Sequence, residues 1–256
     1  MPEIRLDKYL ADAGQGTRSQ VKTLIKQGRV KIGAETAKKP EQKVDTDCSN
    51  VYVDGSMISY RTVEYYMLNK PQGVVSATKD KRDKTVIDLI DEDKRRDLFP
   101  VGRLDKDTEG LLIITNDGQL SKDLLSPKKH VEKIYYATIC GTVTQDTIAQ
   151  FEEGIDIGDD KPTKPAKLKI LSDAEIDGIA KKSSGTDEEN SDILSYVEIT
   201  ITEGRYHQIK RMFEAVGMKV VYLKRIAMGG VVLDETLPCG SWRRLSEGEI
   251  ELLVTR

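Results

Sequence analysis

A polar loop between two apolar segments carries the side chains best suited to chemistry. Arg103 and Asp105 lie in this loop, and an uninterrupted apolar run follows at residues 111–114. That run is long enough for a buried strand and too short for a typical helix. The sequence therefore predicts a carboxylate held against the core by a rigid strand, with a cation two residues away. Catalytic groups often occupy loops of this kind.

Two simpler interpretations of Asp105 compete with a catalytic one. The acidic series that begins at Asp105 and reaches Gly110 is similar to the start of a calcium loop, which needs a glutamate at its twelfth position. Here the twelfth position is Asn116, and an apolar run fills the space before it, so calcium binding is disfavoured. In the other interpretation Asp105 only stabilises a turn, and the loop taken alone favours this structural role.

The longer pattern around Asp105 resembles the signature of the pseudouridine synthases that modify ribosomal RNA, in the branch that acts on the small subunit (16S). The segments that carry the resemblance are GRLD (102–105), TEGLL (108–112) and TNDG (115–118). In that family the aspartate of Arg-Leu-Asp is catalytic, so the resemblance implies that role for Asp105. It also implies an isomerase that converts uridine to pseudouridine and needs no metal or cofactor.

The resemblance extends to later segments that would support the catalytic aspartate. Tyr135 stands where the family has its active-site tyrosine, although spacing alone does not decide whether Tyr135 or Tyr136 faces the pocket. Lys210 stands where the family has the basic residue that pairs with the aspartate, and Arg211 is kept as its substitute. A nearby cation favours the ionised form of a buried carboxylate, which gives this pairing a physical purpose.

The reaction implied by the resemblance leaves two chemical routes open. Asp105 can act as a nucleophile or as a base that removes a sugar proton, and the sequence does not separate these routes. The family suggests that Arg103 helps to hold a nucleotide flipped out of its stack, which costs a few kcal/mol. It also suggests that Leu223 lies under the uracil.

Residues 1–60 are predicted to form a separate RNA-binding domain. Thr17 and Gln20 have the spacing of a capping box at the start of an amphipathic helix. This region resembles the RNA-binding domain named after small-subunit ribosomal protein four (S4), and residues 18–43 contain eight basic and two acidic residues. Such a surface suits phosphate contacts. The predicted RNA-binding residues, three of them outside this domain, are Arg5, Lys8, Arg18, Lys22, Lys26, Arg29, Lys31, Lys70, His207 and Arg225.

Residues 61–256 are predicted to form the catalytic domain, an α+β fold with a mainly antiparallel mixed sheet and flanking helices, because predicted strands outnumber helices. The formal net charge of the chain is −3, of which −5 lies in residues 173–192, so the remainder carries +2. Residues 173–192 contain few bulky apolar side chains and are predicted to form an acidic loop.

The remaining features bear on location and partners. The cysteines Cys48, Cys140 and Cys239 are odd in number and far apart, which favours a reducing cytoplasm. No apolar segment is long enough to predict a membrane-spanning helix. We expect a monomer whose partner is ribosomal RNA or a small-subunit assembly intermediate. The competing functions are a synthase for large-subunit or other RNA and a non-catalytic RNA-binding assembly factor.

Overall fold

The computed structural model describes residues 3–46, 49–58, 60, 63–90, 97–172, 175 and 193–254. Apart from Glu175, the predicted acidic loop at about 173–192 lies outside the described residues. None of the helices in the described ranges has the length and apolar content needed to span a lipid bilayer.

The described residues between 3 and 60 form two helices and six short strands. Helix α1 covers Leu6–Asp12 and helix α2 covers Arg18–Lys26. The predicted capping box is present, since the Thr17 hydroxyl accepts from the Gln20 amide and the Gln20 side chain accepts from the Thr17 amide. The strands are β1 (Glu3–Arg5), β2 (Val30–Ile32), β3 (Glu35–Thr36), β4 (Lys43–Asp45), β5 (Val51–Val53) and β6 (Ser56–Ile58). They form one sheet in the order β3-β2-β5-β6 and a separate β1-β4 pair.

The rest of the described chain is built on one nine-stranded sheet. Its strands are β7 (Tyr65–Lys70), β8 (Phe99–Pro100), β9 (Glu109–Thr115), β10 (Lys133–Cys140), β11 (Lys167–Ile170), β12 (Leu194–Ile201), β13 (Lys219–Met228), β14 (Val231–Val232) and β15 (Trp242–Arg244). The main order is β11-β12-β10-β13-β9-β7-β15, with β14 on β13 and β8 on β9. Only β9 and β13 run parallel among these strand pairs. The predicted α+β class with a mainly antiparallel mixed sheet is confirmed.

Strand β9 is buried on both faces, which explains why its apolar run does not alternate with polar residues. Leu111 and Ile113 pack into a cluster with helices α3 (Gly118–Leu125) and α6 (Glu247–Val254). Leu112 and Ile114 point to the opposite face, which helices α4 (Gln145–Glu153) and α5 (Gln208–Ala215) cover. The loop that precedes β9 is therefore fixed to the centre of the sheet.

The structure adds elements to those that local patterns predicted. No local sequence pattern predicted helices α4 and α6 or strands β13 and β15. Ile87–Leu89 form a single 3₁₀ turn. The division of the chain at residues 60 and 61 stays a prediction.

Candidate active site

Lys70 anchors the main chain of the loop at residues 102–108. Its side chain is 0% exposed, and its ammonium donates to the main-chain carbonyls of Pro71, Asp105 and Thr108 at 3.0, 3.0 and 2.9 Å. Burial lowers the pKa of Lys70 to about 8. The prediction that Lys70 contacts RNA is wrong, because no part of its ammonium faces the surface.

Replacing Lys70 with methionine is expected to lower the free energy of unfolding by about 3 kcal/mol, because several buried carbonyls lose their donor at once. Denaturant titration measures the change. Lys106→Met is the matched control, since Lys106 is half exposed and its ion pair with Asp83 is on the surface, where such pairs contribute less than about 1 kcal/mol. Equal effects of the two variants would contradict the anchoring role.

Two further contacts fix the loop. The Ser76 hydroxyl donates to the Leu104 carbonyl at 2.8 Å and accepts from the Leu104 amide at 3.0 Å. Gly110 has φ +100°, and a Cβ built there would lie 2.2 Å from the Arg225 carbonyl oxygen. A glycine is therefore needed where β9 begins to run beside β13.

A cavity of about 420 Å³ opens beside Asp105, within the size range of small-ligand sites. Tyr135 and Leu223 line this cavity and are both nearly buried. Tyr136 points to the other face of the sheet and meets Tyr222 edge-on, with ring centroids 6.0 Å apart. The tertiary structure thus settles which tyrosine faces the cavity.

Arg103 lies at the rim of the cavity. Its side chain is exposed and forms part of the lining. It is therefore placed where an incoming RNA strand can reach it.

The carboxylate of Asp105 lies between two basic side chains from the start of helix α5. The Lys210 ammonium is 3.4 Å from Asp105 Oδ2, and His207 Nε2 is 3.6 Å from Asp105 Oδ1. Lys210 is closer to Asp107, with contacts of 2.6 and 2.8 Å. Partial burial opposes the charge of Asp107, but the hydrogen bonds and charge of Lys210 outweigh it and lower the pKa of the Asp107 carboxyl. Lys210 is thus shared by two carboxylates.

Arg211 does not belong to this group, which corrects the prediction that it supports the active site as a substitute for Lys210. Its guanidinium binds the Asp159 carboxylate at 2.6 Å and donates to the Ile157 carbonyl. Consecutive residues on a helix project about 100° apart, so only one of Lys210 and Arg211 can point at Asp105.

His207, predicted to contact RNA, lies inside the group around Asp105. It has φ +48° at the start of helix α5, a conformation that is uncommon for a non-glycine residue. Its ring stacks on Tyr206 with centroids 3.8 Å apart. Tyr206 is 72% exposed and also lines the cavity.

Two buried cations complete the inner wall of the cavity. Arg225 is 2% exposed and Lys133 is 7% exposed, and both line the cavity. Sequence reasoning placed Arg225 among RNA contacts and did not select Lys133. The signal for Lys133 was present in the alternation of a strand, because residues two apart share a face and Lys133 precedes Tyr135 by two.

The buried position of Lys133 has a consequence for stability that depends on pH. Burial, followed by the charge of Arg225, lowers the pKa of Lys133 from its ordinary value of 10.5 to about 8. Between pH 8 and 10.5 the unfolded chain binds more protons at Lys133 than the folded chain, so the free energy of unfolding rises with pH.

From pH 7 to pH 10 the wild-type protein is therefore expected to gain about 2 kcal/mol of stability relative to Lys133→Met. Denaturant titrations at the two pH values measure this difference. The exposed Lys167, replaced by methionine in the same way, should show almost no pH-dependent difference. A constant difference for Lys133→Met would contradict the assigned burial of the charge.

The basic residues predicted in the N-terminal part lie at its surface. Arg18, Lys22 and Lys26 are exposed at successive turns of one face of helix α2. Lys8 and Lys31 are also exposed. Two others are exposed but engaged in ion pairs, Arg5 with Asp7 and Arg29 with Asp54.

The sequence profile described as RNA pseudouridylate synthase matches residues 64–215, and the profile described as S4 domain matches residues 4–47. The chain is 40% identical to ribosomal small subunit pseudouridine synthase A of Haemophilus influenzae, over 98% of this chain and 100% of that protein. It is 47% identical to an uncharacterized RNA pseudouridine synthase of Bacillus subtilis, over 98% of both chains.

A solved structure, a crystal structure of pseudouridylate synthase, aligns with a TM-score of 0.64 and 40% identity over 98% of this chain and 99% of that one. The profile that covers residues 64–215 spans the loop of Asp105 and the basic residues of helix α5. The relatives that align over nearly the full length of the chain are also pseudouridine synthases. The chain belongs to the RNA pseudouridylate synthase family, with an S4 domain at its N-terminus.

Proposed function

We propose that this enzyme converts a uridine of small-subunit ribosomal RNA to pseudouridine, with Asp105 as the catalytic residue. The observation that carries the proposal is the position of the Asp105 carboxylate, which lies in the wall of a cavity beside Lys210 and His207. Tyr135 and Leu223 offer an aromatic ring and an apolar side chain to a flat base in the same cavity. The small-subunit target is supported by the full-length similarity to small-subunit enzymes.

The arrangement suits a reaction that moves one bond without redox chemistry. The bond from C1′ of the sugar to N1 of uracil breaks, and the electron pair leaves with the base. Asp105 either adds to C1′ or removes a proton from C2′. The base then turns within the cavity, and its C5 bonds to C1′. In the first route the Asp105–C1′ bond breaks at this step, and in the second route Asp105 returns its proton to C2′. C5 finally loses its proton and N1 gains one, so the product is an isomer of the substrate.

The cavity and its rim are proposed to bind different parts of the substrate. The cavity encloses the base and keeps the detached uracil next to the sugar. Arg103 at the rim is placed to hold the phosphate of the flipped nucleotide. Lys210 places a positive charge 3.4 Å from the Asp105 carboxylate.

The function is tested by tritium release from uridine labelled at C5, because only bond formation at C5 displaces that hydrogen. Small-subunit RNA, partly assembled small subunits and large-subunit RNA are compared as substrates. Release from the small-subunit substrates supports the proposal. Release only from large-subunit RNA would keep the chemistry and overturn the target, and binding without release from any RNA would favour a non-catalytic assembly factor.

Such a substrate would place the protein in the cytoplasm. Its partner there would be ribosomal RNA or a small-subunit assembly intermediate, and we propose that it acts as a monomer. The proposed division is an RNA-binding domain over residues 1–60 and a catalytic domain over residues 61–256.

Charge reversal of Arg18, Lys22 and Lys26 to glutamate is expected to weaken RNA binding. The salt dependence should also flatten by roughly two to three in the slope of log K against log salt, because each lost phosphate contact removes about 0.7–0.9. Filter binding at several salt concentrations measures both. At saturating RNA the single-turnover rate should stay near the wild-type value, since these side chains do not line the cavity. An unchanged slope would argue against phosphate contacts on helix α2.

A further inference from the structure

Arg225 is a buried cation that the protein leaves partly unpaired. Its Nε donates to the Leu111 carbonyl at 2.7 Å. Its Nη2 is buried and has no hydrogen-bond partner within the described residues. A buried charge with unsatisfied donors is costly, so a native structure that keeps one needs a reason for it. The residue lines the cavity beside Asp105, and a ligand in that cavity supplies such a reason.

The strands place Arg225 on the same side of the sheet as the groups proposed to enclose the base. Tyr135 of β10 is paired directly with Arg225 of β13, and Leu223 lies two residues earlier on β13. Lys133 lies two residues before Tyr135 and also lines the cavity, with its ammonium 2.9 Å from the Val131 carbonyl. Two apolar and two cationic side chains thus border one space.

A second unpaired polar group faces this space. The Thr108 hydroxyl is buried, lines the cavity and has no hydrogen-bond partner in the described part of the chain. A hydroxyl can donate or accept. The inner wall therefore offers a fixed cation and a hydroxyl to a ligand that carries both carbonyl oxygens and an N–H group, as the edge of uracil does.

We propose that Arg225 binds a carbonyl oxygen of the target uracil and stabilises the negative charge that the base carries while it is detached from the sugar. This role rests on the proposed function. When the C1′–N1 bond breaks, uracil keeps the electron pair and the charge spreads over N1, O2 and O4. This holds whether Asp105 adds to C1′ or removes a C2′ proton. A cation already fixed in the cavity wall stabilises such developing charge without rearrangement, and Lys133 adds to its field.

Arg225→Gln keeps an N–H donor but removes the charge. The single-turnover rate should fall by about 100-fold, as for the loss of one preorganised donor to an oxyanion, while the RNA affinity stays unchanged. Arg225→Lys keeps a cation and should lose less. Lys219→Gln is the matched control on the same strand, since Lys219 is exposed and does not line the cavity. Thermal unfolding of each variant reports any loss of the Leu111 contact.

Modified substrates distinguish a contact between Arg225 and the base from a purely structural role for Arg225. RNA is prepared with 2-thiouridine or 4-thiouridine at the modified position, because sulfur accepts hydrogen bonds less well than oxygen. If Arg225 binds one of these oxygens, sulfur at that position slows the wild-type enzyme but slows Arg225→Gln much less, so the two effects do not multiply. Arg225→Lys gives the same comparison if the glutamine variant unfolds.

The outcomes distinguish this role from the function on which it rests. If the effects of the Arg225 substitution and of sulfur multiply at both O2 and O4, Arg225 does not contact the base. Turnover by the wild-type enzyme would still support the synthase function in that case. No turnover of any uridine by the wild-type enzyme would overturn both.

Discussion

Asp105→Asn is expected to lower the isomerisation rate by at least about 10³-fold while RNA binding stays near the wild-type level. An amide can neither add to C1′ nor remove a C2′ proton, so both routes are lost. The loop itself should persist, because Lys70 and Ser76 hold its main chain and not the Asp105 carboxylate. Single-turnover tritium release and filter binding, measured on the same RNA, separate the two effects.

Two controls make the test of Asp105 specific. Asp105→Ala guards against recovery of activity by deamidation of the asparagine. Asp83→Asn removes a surface carboxylate that pairs with Lys106 of the same loop, and it should retain activity. About a tenth or more of the wild-type activity in Asp105→Ala would rule out Asp105 as the catalytic residue.

Lys210→Met is expected to lower the rate by about 100-fold, and the loss should be greatest at low pH. Without the ammonium, Asp105 loses the cation 3.4 Å away, and Asp107 loses the partner that lowers its pKa. Protonation of the carboxylates then becomes easier. Raising the pH restores the ionised form, so the activity of this variant should rise with pH more steeply than that of the wild type.

The pH profile distinguishes charge support from a general structural defect, which would lower activity equally at every pH. Lys210→Arg should keep most of the activity and the wild-type profile, because it retains the cation. Arg211→Met tests the neighbouring residue, whose partner is Asp159, and its profile should match the wild type. A profile altered in Arg211→Met but not in Lys210→Met would reverse the assignment.

The local patterns of the chain determined much of its secondary structure and the candidate catalytic group. The apolar run at residues 111–114 predicted a buried strand, and the structure has β9 there. Thr17 and Gln20 predicted a helix start because a capping box depends only on residues three apart. The polar loop before β9 identified Asp105 as a group close to the core, and the family pattern gave it a proposed role.

Local patterns failed where a side chain's surroundings come from distant parts of the chain. Lys70 ends strand β7 and was predicted to contact RNA, but the loop that buries it lies more than thirty residues later. Ile209, Met212 and Phe213 form the buried stripe of helix α5. Helix spacing puts Lys210 and Arg211 off this stripe, but it does not show that Asp107 and Asp159 are their acidic partners.

The sequence by itself therefore determined the start of helix α2, the buried strand β9 and which side chains of a strand share a face. It did not determine what covered each face. The register of β10 against β13 brings Tyr135 opposite Arg225, and the parallel pairing of β9 with β13 brings Gly110 against the same residue. These long-range pairings decide which side chains are buried. Whether a charged residue is a surface contact or a buried cation was therefore decided only by the tertiary structure.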